Sequence, residues 1–259
     1  MYGICHLSAV PCRREPSDKS ELVTQLLFGD HFEVVEKSGS WHRILIAWDN
    51  YDCWIDRKQY TSISKVTFDN LQQNPAPVAN ELVQVITDQK SGHSFPIPLG
   101  SSLPYFHGGH CHIEDRTYMY HGTARPFSET NDRVAIVETA YLFLNAPYLW
   151  GGRSPFGLDC SGLSQIVFKA NGFRLKRDAY QQVELGSSYS FVEEAQPGDL
   201  AFFDNEEGRI VHVGIVAGVN RIIHASGRVR VDHFDHYGIF TPERGGYTHN
   251  LRVIKNIFA

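Results

Sequence analysis

Gly151-Gly152-Arg153-Ser154-Pro155-Phe156-Gly157-Leu158-Asp159-Cys160-Ser161-Gly162 is the stretch on which the reading of this chain turns. A glycine-rich approach delivers a thiol to the start of a helix. Leu163, Val167 and Ala170 then fall on one helical face, and Asn171-Gly172 supplies a terminator. Free N–H groups and the positive dipole end at such a start favour the thiolate. A pKa brought from about 8.5 to about 6 would take the thiolate at pH 7 from a few per cent to most of the molecules. A lone cysteine before a helix is more commonly a buried structural thiol. Chemistry at Cys160 therefore requires a partner.

A thiol nucleophile needs a base, which reaches it across space rather than along the chain. The chain has 13 histidines, so the presence of one carries no information. Two are well placed. His212 opens the predicted strand His212-Val213-Gly214-Ile215-Val216-Ala217, and His224 lies on the next strand, across a turn at Gly218-Val219-Asn220. Adjacent antiparallel strands set such side chains beside each other. One imidazole can then take the thiol proton while the other holds its tautomer. Two satisfied sheet histidines fit the same spacing equally well.

Around these residues the pattern changes once. From Asn131 a helix is expected, with Val134, Val137, Tyr141 and Leu144 on its apolar face, cap candidates from Thr130 to Asp132, and Pro147 beyond its end. A short helix follows Asp178, which stands at capping-box spacing from Gln181. Strands follow: 199–204, 212–217, 221–225, 228–232 and 251–257. Helices first and strands after indicate an α+β domain. Residues 1 to about 128 instead carry short apolar runs 8 to 12 residues apart, among them 22–27, 32–35, 41–46 and 53–55. That rhythm predicts small all-β barrels. Asn74-Pro75-Ala76-Pro77 breaks it as a linker or edge, and a second strand-rich unit runs from Leu82 to about Tyr120.

Bulk properties narrow the function. The 259 residues are 42% hydrophobic and 20% charged, with a formal net charge of -5. No basic field exists to hold nucleic acid or an anionic membrane. The amino terminus lacks the basic start and apolar run of a secretory signal. Five cysteines without C-x-x-C spacing point to free thiols and a cytoplasmic setting. His107-Gly108-Gly109-His110-Cys111-His112 has metal-ligand residue types, but its spacing fits no standard zinc pattern, and a polar hairpin loop is expected there. Arg153 is either a partner for a substrate carboxylate or a solvated loop arginine.

The residues match a known family. Pro147-Tyr148-Leu149-Trp150-Gly151-Gly152, Leu158-Asp159-Cys160-Ser161-Gly162-Leu163, Pro197-Gly198-Asp199-Leu200-Ala201-Phe202-Phe203, Val211-His212-Val213-Gly214-Ile215 and Ile222-Ile223-His224-Ala225-Ser226 resemble, in order and spacing, the NlpC family of papain-like cell-wall cysteine peptidases. The resemblance implies Cys160 as nucleophile, His212 as general base, His224 as the polar third member, and Tyr148 orienting the thiol and helping the oxyanion site. Asp159 and Ser161 would line the substrate cleft. Trp150 would join them or be an ordinary core aromatic. A carboxylate at Asp159 also suits a helix start, but it opposes a thiolate, which favours substrate binding.

The front half resembles the paired SH3-like barrels that precede this domain in murein-recycling γ-D-glutamyl-L-diamino-acid endopeptidases. The implied domains are residues 1–64, a first barrel; 65–128, a second barrel with linker; and 129–259, the peptidase. In such enzymes an acid and a tyrosine of the barrel grip the substrate's free amino terminus. Tyr51 matches the tyrosine. The acidic position falls on Val23, a departure, and Glu21 lies two residues earlier on the same predicted strand face. Asp178 matches another substrate-side acid, followed by Ala179 where serine is frequent. The expected substrates are murein peptides, L-Ala-γ-D-Glu followed by diaminopimelate or L-Lys, with no metal and no cofactor. An amidase or acyltransferase of related fold, and an idle wall-binding protein, are the alternatives; an intact Cys160, His212 and His224 speak against the second.

Overall fold

The computed structural model describes residues 1–128 and 132–258. The chain divides into two compact units, residues 1–128 with 150–155, and residues 129–149 with 156–259. Among the described residues no helix is long and apolar enough to cross a membrane.

The amino-terminal unit is built on strands, as the alternation predicts. Trp41–Ile46 alternates buried and half-buried side chains along its whole length, the mark of a strand with one face in a core. The first antiparallel sheet runs in the order Leu22–Leu27, Ala9–Arg13, Asp52–Asp56, Trp41–Ile46, His31–Ser38, Tyr2–Ile4, Thr61–Ile63. A second sheet orders Ser94–Pro98, Val83–Asp88, Arg116–Tyr120 and His110–Ile113. Ile4, Phe28 and Ile63 of the first sheet region pack in one apolar cluster with Ile86, Ile97, Cys111 and Tyr118 of the second. The helix Lys65–Gln73, capped by the Ser64 side chain on the Thr67 N–H at 3.0 Å, is absent from the sequence reading. Its apolar residues are too few to give a helical period; Leu71 is the one buried side chain.

The carboxy-terminal unit is α+β. Arg133–Tyr141 is capped by Asp132 on the Ala135 N–H at 3.0 Å; the cap candidates Thr130 and Asn131 lie outside the described residues. The expected apolar face is corrected. Ile136, Thr139, Ala140 and Phe143 are buried, while Val134, Tyr141 and Leu144 are exposed. Both sets have 3- and 4-residue spacing, and the buried one carries a polar Thr139 whose hydroxyl meets Ala135 O and the Asn171 amide. That tertiary hydrogen bonding is invisible to a hydrophobic count. Cys160–Ala170 is buried on every side, and Ala179–Gln182 begins at the Asp178–Gln181 capping box. The sheet runs Ser187–Ser188, Gly246–Asn256, Leu200–Asp204, Ile210–Gly218, Arg221–Ser226, Arg228–Asp235, Gly238–Thr241, and the last of these pairs back to Gly246–Asn256. The sheet thus closes on itself, and Cys160–Ala170 packs against Ile210–Gly218.

Candidate active site

Cys160 is the first residue of its helix and is 8% exposed. The backbone N–H groups of Val213 and Ser161 act on its sulfur and lower its pKa, which puts the thiol near the strand Ile210–Gly218 that carries His212. Burial pushes the thiol up, to about 12, and the Asp159 carboxylate adds to this. The expected lowering by the helix start is therefore corrected: desolvation of a nearly enclosed sulfur outweighs two N–H groups. His212 is held well below its usual range by burial, then by His224 and His249. Both shifts favour a neutral thiol beside a neutral imidazole.

The histidines meet as the strand geometry requires. Gly214 stands directly across from His224, and a β-carbon there would come within 3.1 Å of the His224 Cβ and 2.5 Å of Ile222. The missing side chain leaves room for the diagonal pair, and His212 Nε2 lies 2.9 Å from His224 Nδ1. His224 Nε2 lies 3.0 Å from Asp232 Oδ2. Asp232 is buried, which raises its pKa, but His224 and Arg230 hold it below the usual range. Arg230 Nη2 donates to Asp232 Oδ1 at 2.8 Å and to Glu243 at 2.7 Å.

This string sets its own proton positions. An ionised carboxylate only accepts, so His224 Nε2 carries the hydrogen. With His224 uncharged, its Nδ1 accepts and His212 Nε2 donates. His212 Nδ1 is left with a free lone pair, the state a base needs. Asp232 was missed in the sequence because its role depends on register: it faces Ile222, diagonal to His224, whose direct partner is Arg230. His249 was also missed. Its ring stacks on His212, centroids 4.2 Å apart and planes at 28°, and burial brings its pKa down to about 4. It sits on the strand that closes the sheet, a pairing no local pattern announces.

Tyr148 is near Cys160: burial, then Cys160 and Asp159, push its phenol up to about 12. Asp159 is buried with both oxygens engaged inside the protein. Oδ1 caps the helix at the Gly162 N–H (2.7 Å), and Arg177 spans both oxygens at 3.0 and 2.7 Å. The charge that would oppose a thiolate is thus offset by Arg177, a fully buried residue that the sequence reading passed over. Ser161 donates to Asp159 at 3.3 Å and accepts from Arg177 at 3.0 Å. Gln182, also missed, donates to Ser161 O at 3.1 Å and accepts from Ser164 at 2.7 Å. Asp178 is half-buried and caps a helix in which Ala179 is buried.

The remaining candidates lie in the amino-terminal unit. Trp150 is 59% exposed, and its indole N–H donates to Glu21 at 2.7 Å. Glu21 is also bound by Arg14 Nε, and its pKa is lowered by that arginine first. The supposed shared strand face of Glu21 and Val23 is corrected. The strand starts at Leu22, and pairing shifts between Cys12–Thr24 and Arg13–Leu22, so Val23 is the extra residue of a bulge. Val23 is buried and Glu21 exposed. Tyr51 is partly buried against the first barrel's core. Arg153 is neither solvated nor open to a ligand: it is fully buried, donates to Gln25 O at 2.9 Å and faces Asp30 at 3.5 Å. In the 107–112 segment Cys111 is buried in the core while His112 pairs with Thr117 at 3.1 Å on the other face. Among the described residues, the histidine, cysteine and acid groups close enough to share an ion are His212, His224 and His249.

Residues 145–243 match the NlpC/P60 family, and residues 12–59 the bacterial dipeptidyl-peptidase SH3 domain. Over residues 145–243 the chain is thus similar to the NlpC/P60 family, and that stretch holds Tyr148, Cys160, His212, His224 and Asp232. A γ-D-glutamyl-L-lysine dipeptidyl-peptidase of Bacillus subtilis is 28% identical to it, over 78% of this chain and 71% of the relative. Dipeptidyl-peptidase 6 of Lysinibacillus sphaericus is 26% identical, over 82% and 83%. The crystal structure of an NlpC/P60 family protein from Bacillus cereus superposes with a TM-score of 0.85 at 20% identity, covering 100% of each chain, which shows the shared fold. An SH3-domain match thus precedes an NlpC/P60 match along the chain, in the order the resemblance implied.

Proposed function

We propose that this protein is a cysteine peptidase that cuts the bond between the γ-carbonyl of D-Glu and the following L-Lys or diaminopimelate in murein peptides, releasing L-Ala-γ-D-Glu. The observation that carries this reading is the string His212–His224–Asp232, which begins one residue before Val213, whose backbone N–H acts on the Cys160 sulfur. Cys160 attacks the γ-carbonyl as His212 takes its proton. The concerted transfer suits a buried neutral pair better than a standing ion pair. The oxyanion is met by Tyr148 and the backbone N–H at Cys160. His212 then gives the proton to the leaving amine, and water, deprotonated by His212, frees the thiol. The substrate choice rests on the relatives' named activity. A free L-alanine amino terminus, with Tyr51 and Glu21 as its partners, and a cytoplasmic role in recycling complete the reading; the five unpaired cysteines support that setting.

Mass spectrometry of products from a defined panel of murein peptides tests it. Wild type should release L-Ala-γ-D-Glu, and Cys160→Ala should release nothing while keeping its circular dichroism spectrum. Cleavage at another bond, or an active Cys160→Ala protein, overturns it.

A further inference from the structure

We propose that His212, His224 and His249 form a binding site for a zinc-class divalent cation, and that filling it switches the peptidase off. The inhibitory half rests on the function proposed above; the binding half does not.

Three observations carry the site. First, one ring nitrogen from each histidine converges, all within 4.8 Å of one another. A tetrahedral ion with Zn–N bonds of about 2.0 Å places its ligand atoms about 3.3 Å apart. The His212–His224 separation is already 2.9 Å, so two of the three ligand atoms stand near the spacing such an ion requires.

Second, the outward nitrogens of two of the rings are already held. His224 Nε2 meets Asp232 at 3.0 Å and His249 Nδ1 meets the Thr248 hydroxyl at 2.9 Å. Metal-binding histidines carry such outer partners, which fix the ring and raise its basicity as a ligand. Third, His212 and His224 are buried whereas His249 is only partly so. The cluster is therefore dry within, with one ligand near solvent through which an ion enters. Imidazole nitrogens select zinc, copper or nickel over magnesium and calcium.

Inhibition follows from the position of one hydrogen. In the metal-free string His212 Nε2 carries the ring's hydrogen and Nδ1 the lone pair. A cation on Nε2 needs the lone pair there, so the hydrogen moves to Nδ1. No net proton is released and no electron is transferred. His212 Nδ1 then donates where it formerly accepted, and it cannot take the Cys160 proton. The ion binds the base in the wrong tautomer.

Calorimetric titration of full-length wild type, Cys160→Ala, His249→Gln, His249→Asn and His110→Gln with Zn²⁺ tests the site without reference to activity. The expected result is one equivalent bound by wild type, Cys160→Ala and His110→Gln, and binding at least tenfold weaker in both His249 variants. Co²⁺ in Cys160→Ala should show the visible absorption of a low-coordinate nitrogen site, lost in Cys160→Ala with His249→Gln. Inhibition of wild-type peptide cleavage should share the binding midpoint and reverse with EDTA. Each variant's inhibition is read against its own metal-free rate. Loss of binding in Cys160→Ala would assign the ion to the thiol and overturn the proposal. Unchanged binding in folded His249 variants would overturn it equally. If wild type cleaves no murein peptide, the functional reading fails, and calorimetry still decides the site.

Discussion

Glu21 and Asp232 are built alike: each is an acid that meets a ring nitrogen and an arginine, Trp150 and Arg14 for the one, His224 and Arg230 for the other. Their surroundings differ. The Asp232 side chain is 4% exposed, whereas the Glu21 and Arg14 side chains are 36% and 60% exposed. An exposed ion pair is screened by water and contributes little. A buried carboxylate cannot trade its partner for water, so it dictates which nitrogen of His224, and then of His212, carries a hydrogen. A carboxylate, a ring nitrogen and an arginine fasten a loop in one place and, in the other, orient the histidine next to the proposed base.

The comparison breaks first at the buried string. His212→Ala should lower kcat by roughly 10²- to 10⁴-fold, the usual worth of a general base, while His224→Asn, which can still orient an imidazole, should cost far less. Asp232→Asn comes next. A buried charged hydrogen bond contributes about 1.5 to 3 kcal/mol, about 10- to 150-fold, and the loss should fall on kcat with KM little changed. Nitrogen-15 shifts of His212 should show its hydrogen moving from Nε2 toward Nδ1. An unchanged tautomer with unchanged kcat would show that Asp232 only fills space.

A third test addresses the thiol. With burial raising Cys160 to about 12 and lowering His212, the rate of Cys160 alkylation should keep rising from pH 6 through pH 9. A plateau below pH 7 would reveal a standing thiolate–imidazolium pair and refute the neutral resting state. The smallest effect belongs to the exposed cluster. N-acetyl-L-Ala-γ-D-Glu-diaminopimelate should be cut at least tenfold more slowly than the free tripeptide, from loss of one charged hydrogen bond. Glu21→Gln should shrink that preference by only a few-fold, because Arg14 already shares the carboxylate. Tyr51→Phe should shrink it as well. Equal kcat/KM for the two peptides would remove the amine-recognition role.

Legibility in the sequence followed the range of the interaction. The strand Trp41–Ile46, the helix start at Cys160 and the Asp178 capping box are written in neighbouring residues, and they read true. The His212–His224 pairing needed one hairpin, still a local matter. Asp232, His249 and Arg177 needed tertiary placement: a diagonal across a second strand, a sheet that closes through residues 246–256, and a salt bridge spanning 18 residues to Asp159. The buried face of Arg133–Tyr141 went astray because two faces share one spacing and a hydrogen-bonded Thr139 belongs to the inner one. Glu21 and Val23 went astray because a bulge breaks two-residue alternation.

The helix Cys160–Ala170 has every side chain buried, Lys169 included. Its amide hydrogens therefore have no local route to solvent and should exchange only when the whole carboxy-terminal unit opens. The proposed nucleophile, Cys160, would then sit on the slowest-exchanging part of its domain. A destabilising substitution far from the site will then leave the surviving folded molecules with an undiminished turnover number. Activity in such variants should follow the folded fraction, and amide exchange of this one helix measures that fraction directly.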